Sequence, residues 1–307
     1  MDTVIINDVG PRDGLQNDPG SVSPADRAAM IKALVAAGIS AVEVASFVSP
    51  TAVPKMAGAE QVVAALDLNS ADFSALVPNH KGYELALKAG IRSVAVVLSA
   101  TDTMNQKNVN MDLDTTLRVC EEIVGRAGED GVKPRAYVSV AVECPYEGLV
   151  PESRIEDLTA RMFSAGAVEV IVADTIGAAN PRQVKSLFSR LVAAFGADRL
   201  SAHFHDTRAL ALANAWQALE CGIRKFDSSI GGLGGCPFAP GAAGNLATED
   251  LASMLEQAGF HTGIDMARLL DVIELARKLV AHDLGGRSLA WQLGKTTQGA
   301  PAGAAQQ

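Results

Sequence analysis

Leu200-Ser201-Ala202-His203-Phe204-His205-Asp206-Thr207 is a short apolar run that ends in polar residues. Read as a strand, it places residues two apart on one face, so both imidazoles point one way and Phe204 the other. A helical pattern follows over Leu210–Cys221, then a stop at Gly222 and a second strand-like run over Lys225–Ile230. The same strand–helix unit recurs along the whole chain. Strand-like runs fall at Val4–Val9, Ala41–Ser46, Phe73–Val77, Ser93–Ser99, Arg135–Val142, Glu169–Ala173, Leu200–His205 and Lys225–Ile230, eight in all. Ala-, Leu- and Glu-rich helical patterns lie between them, among them Pro24–Ala37, Leu113–Ala127 and Pro181–Phe195. Ser23-Pro24 and Asn180-Pro181 each set a capping side chain before a Pro at the first helical position. Ala37-Gly38 and Ala89-Gly90 supply stops before the next strand.

Eight alternating units with short connections make a (βα)8 TIM barrel the expected fold, an α/β class with its helices outside. The barrel is expected over residues 1–263, with a C-terminal helix and flexible tail over 264–307 packed on it. In that segment Ile264–His282 reads as one more helix, and Gly294–Gln307, rich in Gly, Ala and Gln, reads as a fraying tail. A doubly wound open sheet would alternate similarly, but no GxGxxG follows the first strand.

The chain has 307 residues, 48% of them hydrophobic, and a net charge of -9. That balance argues against a nucleic-acid or anionic-membrane surface and restricts any anionic ligand to a local positive pocket. No run is apolar for long enough to span a bilayer, and no signal peptide is visible. The 4 cysteines form no CxxC pair or zinc spacing, so reduced thiols in a cytoplasm are expected. Cys120, Cys144 and Cys221 read as packing residues.

In a parallel barrel the active site lies at the C-terminal strand ends. Arg12 and Asp13 collect there after strand one, Glu43 on strand two, Asp174 after strand six, and His203 and His205 on strand seven. Two histidines with a carboxylate and an amide oxygen would suit an octahedral divalent ion, Mg²⁺ or Mn²⁺, with Zn²⁺ or Co²⁺ as alternatives. Taken alone, the histidines read equally well as hydrogen-bonded core residues, and Arg12-Asp13-Gly14 as a surface turn. Gly231-Gly232-Leu233-Gly234-Gly235-Cys236 after strand eight can bring backbone close to a ligand, with Cys236 as a candidate acid, base or nucleophile.

Taken together, these residues resemble the hydroxymethylglutaryl-CoA lyase family of metal-dependent lyase barrels. The segments that carry the resemblance are Val9-Gly10-Pro11-Arg12-Asp13-Gly14-Leu15-Gln16-Asn17, Ser46-Phe47-Val48-Ser49-Pro50, Cys144-Pro145-Tyr146-Glu147-Gly148, Asp174-Thr175-Ile176-Gly177, Gly232–Pro237 and Gly244–Leu251. The resemblance implies cleavage of (S)-3-hydroxy-3-methylglutaryl-CoA, an acyl-CoA substrate, to acetyl-CoA and acetoacetate. It places the divalent metal on Asp13, His203, His205 and Asn245, and catalytic roles on Arg12, Glu43, Asp174 and Cys236. It also implies a homodimer. Asp13 and His203 are both open as the general base. Other readings are a lyase for citramalyl-CoA or a longer branched 3-hydroxyglutaryl-CoA, a condensing synthase of the isopropylmalate synthase type, or a non-catalytic metal-binding barrel. The chain departs from the family pattern at Arg208-Ala209-Leu210, where Arg208 could meet a substrate carboxylate or CoA phosphate, and at Asn7-Asp8, where many relatives carry a Val-Glu-type pair.

Overall fold

The computed structural model describes residues 2–235 and 244–297, with side chains to 294. Eight parallel strands close into a barrel: β1 (Ile5–Asp8), β2 (Ala41–Ser46), β3 (Asp72–Leu76), β4 (Ser93–Ser99), β5 (Lys133–Ser139), β6 (Glu169–Asp174), β7 (Leu200–Phe204) and β8 (Lys225–Ser228). Each expected strand appears in its place. Closure comes from β1, which pairs with β2 on one side and β8 on the other. Wholly buried runs such as Ala-Val-Glu-Val-Ala-Ser in β2 are what a sheet covered on both faces requires.

The caps act as the sequence suggests. Ser23 accepts the Asp26 amide at the start of Pro24–Ala36, and Asn180 forms a full capping box with Gln183 at the start of Pro181–Phe195.

Beyond shifts of one or two residues at strand ends, two features differ from expectation. The fifth strand ends at Ser139 instead of running to Val142, because Val140 adopts a φ of +51°, a backbone conformation costly for a β-branched residue. The Thr175 hydroxyl holds that turn by accepting the Val140 amide at 2.8 Å. The C-terminal segment carries two helices, Met266–Val280 and Leu289–Thr297. The second runs through Gly294, where fraying was expected. Buried Leu289 and a hydrogen bond of 2.8 Å from Gln292 to Ser253 anchor it. Among the described residues, no helix is long and apolar enough to cross a membrane.

Candidate metal centre and acyl-binding cleft

The end of β1 does not stop as an ordinary turn. The amides of Asp13 and Gly14 both return to the Val9 carbonyl, at 2.7 and 3.2 Å, closing a single π-helical turn over Gly10–Gly14. Such turns recur at functional sites. Buried Asp8 secures it, accepting the Gly10 amide at 2.9 Å and the Thr248 hydroxyl at 2.7 Å. The outcome is that Arg12 is buried instead of lying on a surface turn.

Asp13 meets the two histidines at the barrel mouth. Asp13, His203 and His205 each offer a ligand atom, all within 4.8 Å of one another. The imidazole centroids are 5.2 Å apart, as expected of residues sharing one strand face. Asn245 reaches the same point through an antiparallel bridge to His205. Its Nδ2 donates to Asp13 Oδ2 at 2.8 Å and to the Leu233 carbonyl at 3.0 Å. Its Oδ1 is buried and has no hydrogen-bond partner among the described residues. An acceptor left over beside a carboxylate and two imidazoles is the donor set a divalent cation completes, so the residues fit a metal.

Charge is arranged tightly around this corner. Arg12 Nη1 donates to Asp13 Oδ1 at 2.7 Å, and its Nε donates to Glu43 Oε2. Burial works against the Arg12 charge, but Glu43 and Asp13 outweigh it and hold its pKa above the ordinary value. Burial likewise pushes Asp13 up, yet Arg12, His203 and His205 bring it down to about 2. Glu43 is fully buried, and burial leaves its pKa raised despite Arg12. For His203, burial disfavours the charged ring, but its bond to Asp227 reverses the balance and raises the pKa.

A cleft of about 530 Å³ opens onto these groups. It is lined by Arg12, Asp13, His203 and His205, together with apolar Val48, Leu76, Val97 and Met104. The glycine loop closes one side. Gly234 has a φ of +122°, and a Cβ there would lie 2.5 Å from Asn245 Nδ2, so only glycine lets the loop pass over that amide.

Other expected site residues fall elsewhere. Asp174 does not line the cleft. Its two oxygens accept the amides of Ala178 and Ala179 at 2.9 and 3.0 Å, so it shapes the loop after β6. Arg208 is half exposed and donates to the Ala178 carbonyl at 3.1 Å, with Glu143 at 3.6 Å. Cys236 lies outside the described residues. Cys120 and Cys144 are buried, and Cys221 is partly buried.

Sequence reasoning missed three residues. Tyr137 on β5 lines the cleft, and Arg12 lies 5.9 Å from its ring centroid. Asp227 on β8 was visible only as a polar residue in a strand. It accepts Tyr137 OH at 2.8 Å and pairs with His203 Nδ1 at 3.1 Å. Glu249 was likewise seen only within a matched motif. It accepts the Gly231 amide at 3.0 Å and the Gly286 amide at 2.5 Å, joining the glycine loop to the C-terminal segment.

The family model described as HMGL-like matches residues 3–276. The chain belongs to that family. It is 41% identical to the hydroxymethylglutaryl-CoA lyase of Bacillus subtilis over 287 residues, covering 93% of this chain and 96% of that one. It is also 40% identical to the (R)-citramalyl-CoA lyase of Chloroflexus aurantiacus, covering 88% and 89%. Among solved structures, an Acinetobacter baumannii hydroxymethylglutaryl-CoA lyase in complex with coenzyme A and 3-methylmalate superposes with a TM-score of 0.91. It shares 35% identity, over 98% of each chain.

Proposed function

We propose that this HMGL-like protein cleaves (S)-3-hydroxy-3-methylglutaryl-CoA to acetyl-CoA and acetoacetate. One observation carries the reading: Asp13, His203 and His205 converge within 4.8 Å in a cleft that also holds Arg12. Asp13, His203, His205 and Asn245 Oδ1 would hold Mg²⁺ or Mn²⁺, which supplies Lewis-acid polarisation of the substrate oxygens.

The remaining chemistry belongs to the chain. The 3-hydroxyl loses its proton, for which Asp13 and His203 are the two candidate acceptors; whichever accepts it uses a lone pair not then bound to the metal. The C2–C3 bond then opens: C3 becomes the ketone of acetoacetate, and the bond's electron pair passes to the thioester as the acetyl-CoA enolate. Arg12 has spent N–H groups on Glu43 and Asp13, and those left over can stabilise the enolate oxygen. Glu43 acts by fixing Arg12, and Asp174 by fixing the loop after β6. Cys236 delivers a proton to the enolate carbon, a step worth about 10²–10⁴ in rate. The proposal also includes a cytoplasmic homodimer, to be checked by sedimentation.

Citramalyl-CoA is the second reading, because a relative with that name is as similar as the hydroxymethylglutaryl-CoA lyases. A cleavage assay with Mg²⁺ or Mn²⁺ over both thioesters separates them. Acetoacetate as the main second product supports the first. Pyruvate from citramalyl-CoA, with no acetoacetate from the other thioester, would replace it.

A further inference from the structure

We propose that Asn7 is a positioning residue for His203, acting through Asp227. The inference rests on reading Asp13, His203 and His205 as a metal corner.

The strand register brings the three residues together. Asn7 on β1 pairs with Asp227 on β8, and Asp227 pairs with His203 on β7. Paired positions on neighbouring parallel strands send their side chains to the same face, here the barrel interior. Asn7 is 3% exposed, Asp227 2% and His203 6%, so all three side chains lie inside the barrel. Asn7 Nδ2 donates to Asp227 Oδ1 at 2.8 Å, while Asp227 Oδ2 faces His203 Nδ1 at 3.1 Å and accepts Tyr137 OH at 2.8 Å.

These contacts settle orientation in sequence. An amide oxygen cannot face a carboxylate oxygen, so Asn7 presents its NH₂ to Asp227. With Oδ1 held by Asn7, Asp227 turns Oδ2 toward the imidazole. Nδ1 then carries the proton, and Nε2 keeps its lone pair for the corner shared with Asp13 and His205. A carboxylate behind a ligating imidazole commonly sets ring orientation and tautomer. Here a side-chain donor, Asn7 Nδ2, holds that carboxylate from behind. A Val at position 7 would leave Asp227 Oδ1 buried without it.

The test uses the full chain carrying Asn7→Val, with Asn7→Asp as a second variant and thermal unfolding to confirm folding. In metal-free protein, long-range ¹H–¹⁵N correlation spectra report the His203 tautomer, assigned by its loss in His203→Asn. At a pH above the His203 titration, the parent is expected to show the Nδ1–H form alone, and Asn7→Val a mixture. Mn²⁺ titration followed by electron paramagnetic resonance is expected to give a Kd about 3- to 10-fold weaker in Asn7→Val. For Asp227→Asn the loss is about 10- to 100-fold. An unchanged tautomer with Mn²⁺ affinity within about twofold of the parent's would overturn the role of Asn7. Failure of the parent to bind Mn²⁺ would instead overturn the metal-corner reading, and the tautomer would still judge Asn7.

Discussion

The two ends of the barrel bury similar charges and treat them differently. At the N-terminal end Glu169 Oε1 accepts Ser201 Oγ at 2.7 Å and Arg135 Nε at 3.2 Å, and Oε2 accepts Lys225 Nζ at 3.1 Å. No side-chain atom of Arg135, Glu169, Ser201 or Lys225 is left buried without a partner. At the C-terminal end Arg12, Glu43, Asp13 and Asn245 form an equally dense network, yet Asn245 Oδ1 and Glu43 Oε1 remain unmatched. The lower cluster, Arg135, Glu169, Ser201 and Lys225, is completed by the chain itself. The upper one keeps two buried acceptors free, the arrangement the proposed metal corner requires.

The largest effect expected from this contrast is on turnover. His205→Ala removes a corner ligand, and several kcal/mol of transition-state stabilisation lost there means a fall of about 10³ or more in kcat/KM. Mn²⁺ affinity should fall with it, while the metal-free protein unfolds near the parent's midpoint. A variant that binds Mn²⁺ like the parent would break the assignment of the upper end to metal.

Next in size is the lower end. Glu169→Ala leaves Arg135 and Lys225 without their shared carboxylate, and removing one partner of a buried pair costs about 3–5 kcal/mol. Denaturant unfolding should show that loss with Mn²⁺ affinity unchanged. The same group sets an acid limb. Burial would raise the Glu169 pKa, but Arg135 and Lys225 outweigh it and lower it from 4.5 to about 2. A depressed carboxylate contributes stability in full above the unfolded-state value and loses it as pH falls toward the folded one. The parent should therefore lose on the order of 3 kcal/mol between about pH 4.5 and 2 through this group. Glu169→Gln should flatten that limb. An equally steep limb in the variant would mean other carboxylates carry it.

The two ends were not equally legible in the sequence. Strand periodicity and helix caps placed all eight strands, and a His-x-His spacing needed only a strand to put both rings on one face. Arg12 and Asp13 were harder, since Arg-Asp-Gly has the local signature of a surface turn. Only the π-helical turn on the Val9 carbonyl makes it a buried site. The Asp227–His203 pair depends on barrel closure, and Tyr137 looks like any strand aromatic. Val140 could not have been foreseen, because a β-branched residue favours the strand it ends here. The Arg135–Glu169–Lys225 cluster was unread for a similar reason: each residue sits near the start of a strand, and only the closed barrel makes them neighbours.

The smallest expected effect tests how closely the upper end is built. Gly234 has a left-handed φ, and its missing Cβ is where the Asn245 amide passes. Gly234→Ala therefore brings backbone strain of about 1–3 kcal/mol together with a push on Asn245. If Asn245 Oδ1 completes the metal corner, moving its amide weakens Mn²⁺ binding by about tenfold, the low end of what displaced supporting groups cost. The Glu169 cluster lies at the opposite end of the barrel, so the acid limb it sets should be unchanged in the same variant. Loss of stability alone, with Mn²⁺ affinity intact, would make Gly234 a packing residue and remove Asn245 from the corner. Loss of Mn²⁺ affinity with the acid limb intact would show that the mouth can be loosened while the base of the barrel stays closed.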